Sequence, residues 1–349
     1  MKEMSKINQI KICDRVIGKN QIPLVIPEIG INHGGNFEKA KKMIKSAYDS
    51  GAECVKFQSH VIDDEMIKNN IIPKNATESI WEIMKKCSLN KHQEEKLKKY
   101  TEKLDMIYLS TPFSRSAADR LEDMDICAYK IGSGECNNLP LIEHIASFKK
   151  PVILSTGMNN LQSISKSVKI LKKHDVEFAL LHTTSMYPTP YDFVRLGALN
   201  DLQKKFPNTV IGLSDHSMGN YACFASISLG AKILEKHFTL SKKWKGPDIS
   251  LSIEPHELKE LIQGASYITS SLGGNKNILP EEQPTINFAY ACVVSICDIQ
   301  KGEIFSKNNI WVKRPGNGKI LASEYRKLIG KTAKNNISNN SQISWNDVY

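Results

Sequence analysis

The stretch VIGLSDHS, residues 210–217, runs from apolar and small residues directly into Ser214, Asp215 and His216. A short apolar run of this kind is typical of a strand that is buried on both faces, as in a parallel sheet. In a closed barrel of parallel strands, the carboxyl ends of the strands form the active site, so polar side chains belong there. The stretch therefore predicts a barrel strand that opens into a catalytic centre.

Apolar runs of this kind recur along residues 24–239, and segments with helical spacing lie between them. In residues 36–51, for example, Asn36 can cap a helix and Gly51 can end it. Strands alternating with helices over about 220 residues favour a closed (β/α)8 TIM barrel over an open doubly wound sheet, and no GxGxxG follows the first strand. The eight predicted strands are LVIPEIG (24–30), CVKFQ (54–58), MIYLST (106–111), AYKIGS (128–133), PVILST (151–156), FALLHTT (178–184), VIGLSDH (210–216) and ILEKHFT (233–239).

Two departures from the repeating pattern divide the chain further. Residues 60–103 exceed what a crossover needs, so we expect an insertion with its own helices that folds over the barrel mouth. A polar stretch interrupted by proline lies around 281–288, and short β-type runs separated by turn residues follow it. We predict a catalytic barrel over 1–280, a linker over 281–288 and a small C-terminal domain over 289–349.

Composition and charge narrow the possible partners. The 349 residues include 47 Lys and Arg against 37 Asp and Glu, a net charge of +10. Because the chain has no arginine-rich run and no RNA-binding aromatic pattern, we expect small anionic ligands and no nucleic acid partner. The N-terminus lacks a signal-peptide core and no stretch approaches about 18 uncharged apolar residues. We therefore expect a cytoplasmic protein with no membrane partner.

The eight cysteines are scattered along the chain and form no CxxC pair. Scattered cysteines in an intracellular protein are typically reduced and buried. We expect no disulfide and no cysteine zinc site.

Two histidines end neighbouring predicted strands. His216 follows the seventh strand and His237 ends the eighth, and adjacent strands lie about 4.8 Å apart, so both imidazoles can reach one ion. A lone histidine after an apolar strand is more often structural, but a neighbouring pair favours a divalent ion, Mn²⁺ or Mg²⁺, with positions left open for water and substrate. We predict a catalytic metal site at these two residues.

Two lysines, Lys56 and Lys130, lie inside strands that are otherwise apolar. An unpaired buried ammonium group is costly, so each lysine needs an anionic partner. Either the lysines pair with Glu28 or Glu135, or both hold the phosphate and carboxylate of a substrate. A Schiff-base lysine of an aldolase is a further interpretation. The residues alone thus predict a barrel enzyme with a divalent metal and a doubly anionic small substrate.

Ten motifs carry a resemblance to a known family: PEIGINHGG, VKFQSHVIDDEM, STPFSR, YKIGSGECNNLPLI, STGMNN, YPTPYDFVRLGAL, GLSDHS, EKHFT, GPD and VKRPGNG. In this order, and over nearly the whole chain, they resemble the bacterial sialic acid (N-acetylneuraminate) synthases, which end in an antifreeze-protein-like (SAF-type) domain. The resemblance implies condensation of phosphoenolpyruvate with N-acetylmannosamine, with Mn²⁺ or Mg²⁺ as cofactor. Phosphate then leaves by C–O cleavage.

The resemblance also implies roles for individual residues. It makes His216 and His237 the metal ligands, and Glu28 and Glu135 the catalytic carboxylates. The residues implied around the phosphate and carboxylate are Lys56, Thr111, Lys130, Ser133, Ser155 and Ser214. Those implied around the sugar are Asn75, Phe113, Tyr187 and Asp248.

A domain-swapped homodimer is a further implication of the resemblance. Arg314 in VKRPGNG is then expected to reach the partner's sugar site, presented by the tight loop at Pro315 and Gly316. A contrasting interpretation makes the C-terminal domain a binding module for ice or polysaccharide and the barrel a scaffold. A scaffold, however, has no reason to direct two lysines and two histidines at one face.

Three stretches depart from the commonest family pattern: VKFQSH, the Ser185 and Met186 that precede Tyr187, and KKWKGPD. The first of them resembles the legionaminic acid synthases. The alternative function is therefore an N,N'-diacetyllegionaminic acid synthase that uses 2,4-diacetamido-2,4,6-trideoxymannose.

Overall fold

A computed structural model describes residues 9–349 of the chain. The chain divides into two compact units, the first ending at Gly273 and the second spanning Gly274–Tyr349. The described chain begins with an antiparallel hairpin, β1 (Gln9–Ile12) and β2 (Arg15–Gly18). This hairpin was not predicted from the sequence.

Eight parallel strands close into a barrel, in which the last strand pairs with the first. This confirms the predicted TIM barrel, and every predicted strand is present with ends shifted by no more than a few residues. The barrel strands are β3 (Leu24–Gly30), β4 (Cys54–Ser59), β5 (Ile107–Pro112), β6 (Tyr129–Ile131), β7 (Val152–Ser155), β8 (Phe178–Thr183), β9 (Val210–Asp215) and β10 (Ile233–His237).

Helices surround the barrel and connect its strands. The predicted cap of the first helix is present, because the Asn36 side chain accepts a hydrogen bond from the backbone N–H of Lys39. The helices of the first unit are α1 (Phe37–Asp49), α2 (Ile62–Glu65), α3 (Ile80–Cys87), α4 (Lys91–Glu102), α5 (Arg115–Asp123), α6 (Leu139–Ser147), α7 (Leu161–Lys173), α8 (Ala198–Lys205), α9 (Tyr221–Ser228) and α10 (Pro255–Ser271).

The barrel interior changes from apolar to polar along the strands. Side chains alternate between the interior and the helix layer, so every second residue of a strand faces inward. Near the amino ends these residues form one apolar cluster with Ile10, Ile12 and Ile17 of the hairpin, which therefore covers this end of the barrel. The inward position then changes from Ile26 to Glu28 in β3, from Leu109 to Thr111 in β5, from Ala128, just before β6, to Lys130 in β6, and from Ile153 to Ser155 in β7.

The insertion at 60–103 carries its own helices, α2, α3 and α4, as predicted. Its Asn75 donates a hydrogen bond to the carbonyl of Pro247, in the loop after β10. On α4, the buried Glu94 carboxylate accepts from Ser59 Oγ at 2.8 Å and pairs with Arg120 of α5, also at 2.8 Å. The insertion is thus fastened both to the barrel wall and to a loop at the carboxyl ends of the strands.

A disulfide joins Cys13 to Cys127, so the expectation that the chain has none is wrong. Cys13 lies in the turn of the hairpin, and Cys127 lies two residues before β6. Because the hairpin covers the amino end of the barrel, it brings the two Cα atoms to 5.5 Å although 114 positions separate them in the chain. A separation of this kind leaves no pattern in the sequence.

The second unit has a small core of its own, built on the antiparallel pair β11 (Cys292–Ser295) and β12 (Ile310–Lys313). Its helices are α11 (Gln283–Ala289) and α12 (Tyr325–Leu328). The stretch predicted as a linker, 281–288, includes most of α11, and the predicted domain boundaries remain a prediction. Among residues 9–349, no helix combines the length and the apolar character needed to cross a bilayer.

Candidate active site

A cavity of about 250 Å³ lies at the carboxyl ends of the barrel strands. Most residues that the sequence analysis assigned to a site line this one cavity. They are Glu28, Lys56, Thr111, Phe113, Lys130, Ser133, Ser155, Tyr187, Ser214, His216 and His237. Alternation along the strands explains most of the grouping, since Lys130 and Ser155, for example, each follow an apolar floor residue by two positions, whereas Ser133 enters from the loop after β6.

Four of the predicted site residues are not in the cavity lining. Glu135 lies in a short 3-10 helix after β6, where its carboxylate accepts from Asn138 Nδ2 at 2.6 Å. Asn75 is bound to the Pro247 carbonyl. Asp248 is buried behind His237, with Oδ2 3.8 Å from His237 Nδ1. Arg314 belongs to the second unit.

The cavity contains two buried lysines and two buried carboxylates. Lys56 Nζ lies 2.6 Å from Glu28 Oε2 and 3.8 Å from Glu235 Oε1, and Lys130 Nζ lies 3.5 Å from the same Glu235 oxygen. Ser214 Oγ donates to that oxygen at 3.0 Å. Glu235 Oε2 is buried without a hydrogen-bond partner. The charges balance, and one carboxylate oxygen remains uncommitted.

Burial changes the protonation of this cluster. It raises the pKa of Glu28 from 4.5 to about 7, against the opposing effect of Lys56. It lowers the pKa of Lys130 from 10.5 to about 8, which Glu235 partly opposes. Burial also raises the pKa of Asp248, to about 6. Near neutral pH, Glu28 is therefore able both to hold and to release a proton.

The two histidines share one side of the cavity. Their ring centroids are 5.4 Å apart, and the ring of Tyr187 stacks on His216 with centroids 4.2 Å apart. His216 Nδ1 donates to the carbonyl of Thr184 at 2.9 Å, which leaves Nε2 as the nitrogen with a lone pair. His237 Nδ1 is buried without a hydrogen-bond partner.

Both imidazoles are neutral at physiological pH. Burial lowers the pKa of His216 to about 4 and that of His237 well below its usual value. Neutral nitrogens with free lone pairs are what a divalent transition ion requires. The donor set therefore fits the predicted metal site at His216 and His237.

Hydroxyl groups surround the lysines on the opposite side of the cavity. Lys56 Nζ donates to Thr111 Oγ1 at 3.2 Å and Lys130 Nζ donates to Ser155 Oγ at 2.7 Å. Ser133 Oγ accepts from the backbone N–H of Gly157 at 3.0 Å, so its own proton is free to donate. A Cβ at Gly157 would approach Ser133 Oγ to 2.8 Å, so only glycine allows this contact. Ammonium and hydroxyl donors together form a site for an oxyanion.

Glu235 and Gln58 are two polar residues of the cavity that were not predicted as site residues. Glu235 faces the cavity from β10, two residues before His237, and Gln58 faces it from β4, two residues after Lys56. Gln58 Nε2 donates to Glu28 Oε1 at 3.0 Å. The two-residue period of a strand is the signal that identifies both, because it places them on the same face as residues already assigned.

A second group of possible metal ligands lies at the start of α10. Ligand atoms of Glu254, His256 and Glu257 lie within 4.8 Å of one another. The two glutamates form a capping box at this helix end, where Glu257 Oε2 accepts from the backbone N–H of Glu254 at 2.8 Å. Lys242 also pairs with Glu257, at 2.6 Å. Helix capping accounts for this cluster.

Comparison with known proteins agrees with the barrel fold. The NeuB family matches residues 43–277 and the SAF domain matches residues 290–348. The chain belongs to the NeuB family. The architecture of a TIM barrel followed by a SAF domain, expected from the resemblance, is confirmed.

Relatives of this NeuB-family chain are synthases of several acidic sugars. The N,N'-diacetyllegionaminic acid synthase of Campylobacter jejuni is 39% identical over 330 residues, which cover 92% of this chain and 98% of the relative. The human N-acetylneuraminate-9-phosphate synthase is 31% identical over 312 residues, 87% of each chain. The crystal structure of an N-acetylneuraminic acid synthetase from Leptospira borgpetersenii superposes with a TM-score of 0.74 at 31% identity, covering 81% of this chain and 97% of that one. This chain is an enzyme of the nonulosonic acid synthase class.

Proposed function

We propose that this NeuB-family enzyme condenses phosphoenolpyruvate with an N-acetylated hexosamine and releases phosphate. One observation carries the proposal: two buried lysines, two neutral imidazoles and a carboxylate with a free oxygen line a single cavity. Each of these groups matches a requirement of the reaction. The lysines suit an anionic substrate, the imidazoles suit a divalent ion, and the carboxylates suit proton transfer.

The anionic side of phosphoenolpyruvate binds to Lys56 and Lys130. Hydroxyl groups of Thr111, Ser133 and Ser155 surround these lysines and donate to the phosphate and carboxylate oxygens. Because Glu235 offsets one ammonium charge and ionised Glu28 offsets the other, the substrate adds more negative charge than the lysines balance. A divalent cation held by His216 and His237 in the same cavity would supply that balance.

His216 and His237 hold the divalent metal, Mn²⁺ or Mg²⁺. When bound there, the ion supplies the Lewis acidity that polarises the aldehyde of the open-chain sugar. Tyr187 packs on His216 and limits the movement of its ring. Because His216 Nδ1 donates its hydrogen bond to the Thr184 carbonyl, Nε2 is the nitrogen that is left to bind the metal.

The reaction forms a bond between C3 of phosphoenolpyruvate and the aldehyde carbon. Water adds at C2, and the tetrahedral adduct loses phosphate by cleavage of the C2–O bond. The aldehyde oxygen takes up a proton as it becomes a hydroxyl, and the attacking water gives up protons. We assign these transfers to Glu28, whose pKa of about 7 suits both steps, and not to Glu135, which lies outside the cavity.

An isotope experiment tests the reaction directly. Phosphoenolpyruvate with ¹⁸O in the C2–O–P bridge is incubated with the sugar, Mn²⁺ and the full-length protein. We expect the label in the released phosphate and equimolar 2-keto acid product. Label retained in the organic product, or no turnover with either candidate sugar, would reject the proposal. Inactivation by borohydride in the presence of pyruvate would support the Schiff-base aldolase instead.

Two sugars are candidates for the acceptor. The sequence analysis favours N-acetylmannosamine, with 2,4-diacetamido-2,4,6-trideoxymannose as the alternative. The 39% identity to a diacetyllegionaminic acid synthase supports the alternative. A competition assay with both sugars at equal concentration measures the ratio of their kcat/KM values and decides between them. The domain-swapped homodimer and the cytoplasmic location remain predictions.

A further inference from the structure

An ion pair between Lys236 and Asp215 lies directly behind the two histidines. The two residues are paired in register on β10 and β9, and Lys236 Nζ lies 2.6 Å from Asp215 Oδ2. Their side chains are 0% and 1% exposed. Asp215 immediately precedes His216, and Lys236 immediately precedes His237. Neither lines the cavity, because neighbouring residues of a strand face opposite sides of the sheet.

The same pair holds the backbone on both sides of His216. The Asp215 carboxylate accepts from the backbone N–H and from Oγ of Ser217, both at 2.9 Å. Lys236 Nζ also donates to the carbonyl of Ser217. The carbonyl of His216 itself accepts from the backbone N–H of Thr189 at 2.9 Å. His216 therefore lies in a turn that is fastened to the residue preceding His237.

The stability of the protein interior does not by itself explain the buried ion pair between Asp215 and Lys236. A buried ion pair often adds no more stability than apolar residues of similar size, because both charges lose their hydration. What the pair does provide is directional bonding, and residues behind metal ligands commonly fix the orientation of those ligands. Here the bonds cross from one histidine-bearing strand to the other.

We propose that Asp215 and Lys236 are positioning residues that set the relative placement of the two metal-binding imidazoles. The inference rests on the proposed function, in which His216 and His237 hold one divalent ion. The pair touches neither ion nor substrate; it acts through the turn at 215–217 and through the register of β9 with β10.

Mn²⁺ binding to the full-length protein without substrates tests this role. Free Mn²⁺ is measured by electron paramagnetic resonance during titration, and thermal midpoints are recorded on the same samples. We expect D215N and K236M each to weaken Mn²⁺ binding about 10- to 100-fold. The double variant D215N/K236M removes both charges, so we expect a higher thermal midpoint than in either single variant but Mn²⁺ binding that stays weak. Recovery of native Mn²⁺ affinity in the double variant would mean that the pair is only structural, and would overturn the inference.

A second buried ion pair of the barrel serves as the matched control. The side chains of Glu94 and Arg120 are largely buried and form an ion pair at 2.8 Å. Neither residue precedes a histidine or lines the cavity. The variant E94Q/R120M is expected to lower the thermal midpoint and to leave Mn²⁺ affinity unchanged. A loss of Mn²⁺ affinity as large as in D215N/K236M would show that any damage to the barrel weakens the site, and would also overturn the inference.

Two further variants separate this inference from the proposed function. H237A must lose Mn²⁺ binding; if it binds like the native protein, the metal assignment itself fails. If charge removal prevents folding, D215E and K236R keep both charges while changing the bonds to Ser217. We expect them to fold and to bind Mn²⁺ more weakly than the native protein, and unchanged affinity in both would refute the positioning role alone.

Discussion

Lys56 Nζ lies 2.6 Å from Glu28 Oε2, and the two side chains are 4% and 2% exposed. Although the pair is this close, burial keeps the pKa of Glu28 near 7. A carboxyl group with such a pKa is poised to transfer protons at physiological pH. This relationship distinguishes Glu28 from the surface carboxylates of the chain.

The variant E28Q should lose most activity and one limb of the pH profile. If protonated Glu28 donates to the aldehyde oxygen, kcat/KM of the native enzyme falls as pH rises through about 7. Glutamine cannot titrate, so the residual activity of E28Q, about 100-fold or more below native, should lack the fall near pH 7 and keep only the fall that Lys130 produces near pH 8. Steady-state assays from pH 5.5 to 8.5, a window of about three units around that pKa, provide the measurement. An unchanged limb in E28Q would assign the titration to another group.

The raised pKa of Glu28 should also make folding stability depend on pH, with stability falling as pH rises. The folded state holds the Glu28 proton up to about pH 7, whereas the ordinary pKa is 4.5. Stability contributed by this proton is therefore complete below pH 4.5 and is lost as pH rises through 7. Thermal midpoints of native protein and E28Q should diverge with pH in that window. Parallel curves would contradict the raised pKa.

The variant K130M should weaken use of phosphoenolpyruvate. Removing a buried charge that faces a dianionic substrate should lower kcat/KM for phosphoenolpyruvate about 100-fold or more. The control is K150M, which removes an ammonium paired with Glu122 and Asp125 on the surface. Kinetics of K150M should match those of the native enzyme. Equal effects of K130M and K150M on kcat/KM would contradict the proposed anion-binding role of Lys130.

The variant H237A should lose divalent metal and activity while remaining folded. His182 offers the comparison: it is buried in β8, but its Nε2 bonds to the Val194 carbonyl and it does not line the cavity. H182Q is expected to reduce thermal stability and to retain the metal. Metal content after EDTA treatment and reconstitution, measured by elemental analysis, separates the two. Retention of the metal by H237A would refute the ligand assignment.

A mixture of R314A and K130M should regain activity that neither variant has alone. In a domain-swapped homodimer, a mixed dimer has one site with an intact Lys130 and an intact Arg314. Random exchange makes about half of the dimers mixed, so about a quarter of the sites recover. The assay follows turnover after subunit exchange, with sedimentation to establish the dimer. If mixing restores nothing although mixed dimers form, Arg314 does not act across subunits.

Reduction of the Cys13–Cys127 disulfide should lower stability without altering the cavity. The bridge closes a loop across 114 positions, and a disulfide typically contributes about 2–4 kcal/mol, with long loops at the upper end. Dithiothreitol should lower the denaturation midpoint of the native protein but not that of C13S/C127S. Equal responses of the two proteins to the reductant would mean that the bridge is absent in solution.

Most of the barrel could be predicted from local patterns. Apolar runs such as those at Leu24–Gly30 and Val210–Asp215 are long enough for one strand each, and Asn36 begins the first helix as expected. Local patterns indicate strands because burial on both faces of a parallel sheet demands consecutive apolar residues. The hairpin at the amino end was missed because its role depends on packing across the barrel and not on its own sequence.

Some residues of the candidate site could also be predicted from local patterns, and others could not. His216, His237, Lys56 and Lys130 could be found because charged or coordinating side chains at the ends of buried strands are unusual. Glu235 was overlooked although it lies on the inward face of β10, and Glu135 was named beside Glu28 as a catalytic carboxylate although its side chain bonds to Asn138. Which carboxylate faces the lysines depends on strand parity and on the path of the loop after β6.

The sequence by itself determined the alternation of strands and helices, the polar residues at the strand ends and the family. Those properties depend on side chains close together in the chain, where periodicity and motif order record them. Only the tertiary structure decided that Glu235 bridges Lys56 and Lys130, that Asp215 and Lys236 fasten the two histidine-bearing strands, and that Cys13 meets Cys127. These contacts arise when the strands assemble into a barrel and the hairpin packs on its amino end, because assembly brings together residues that lie far apart in the chain.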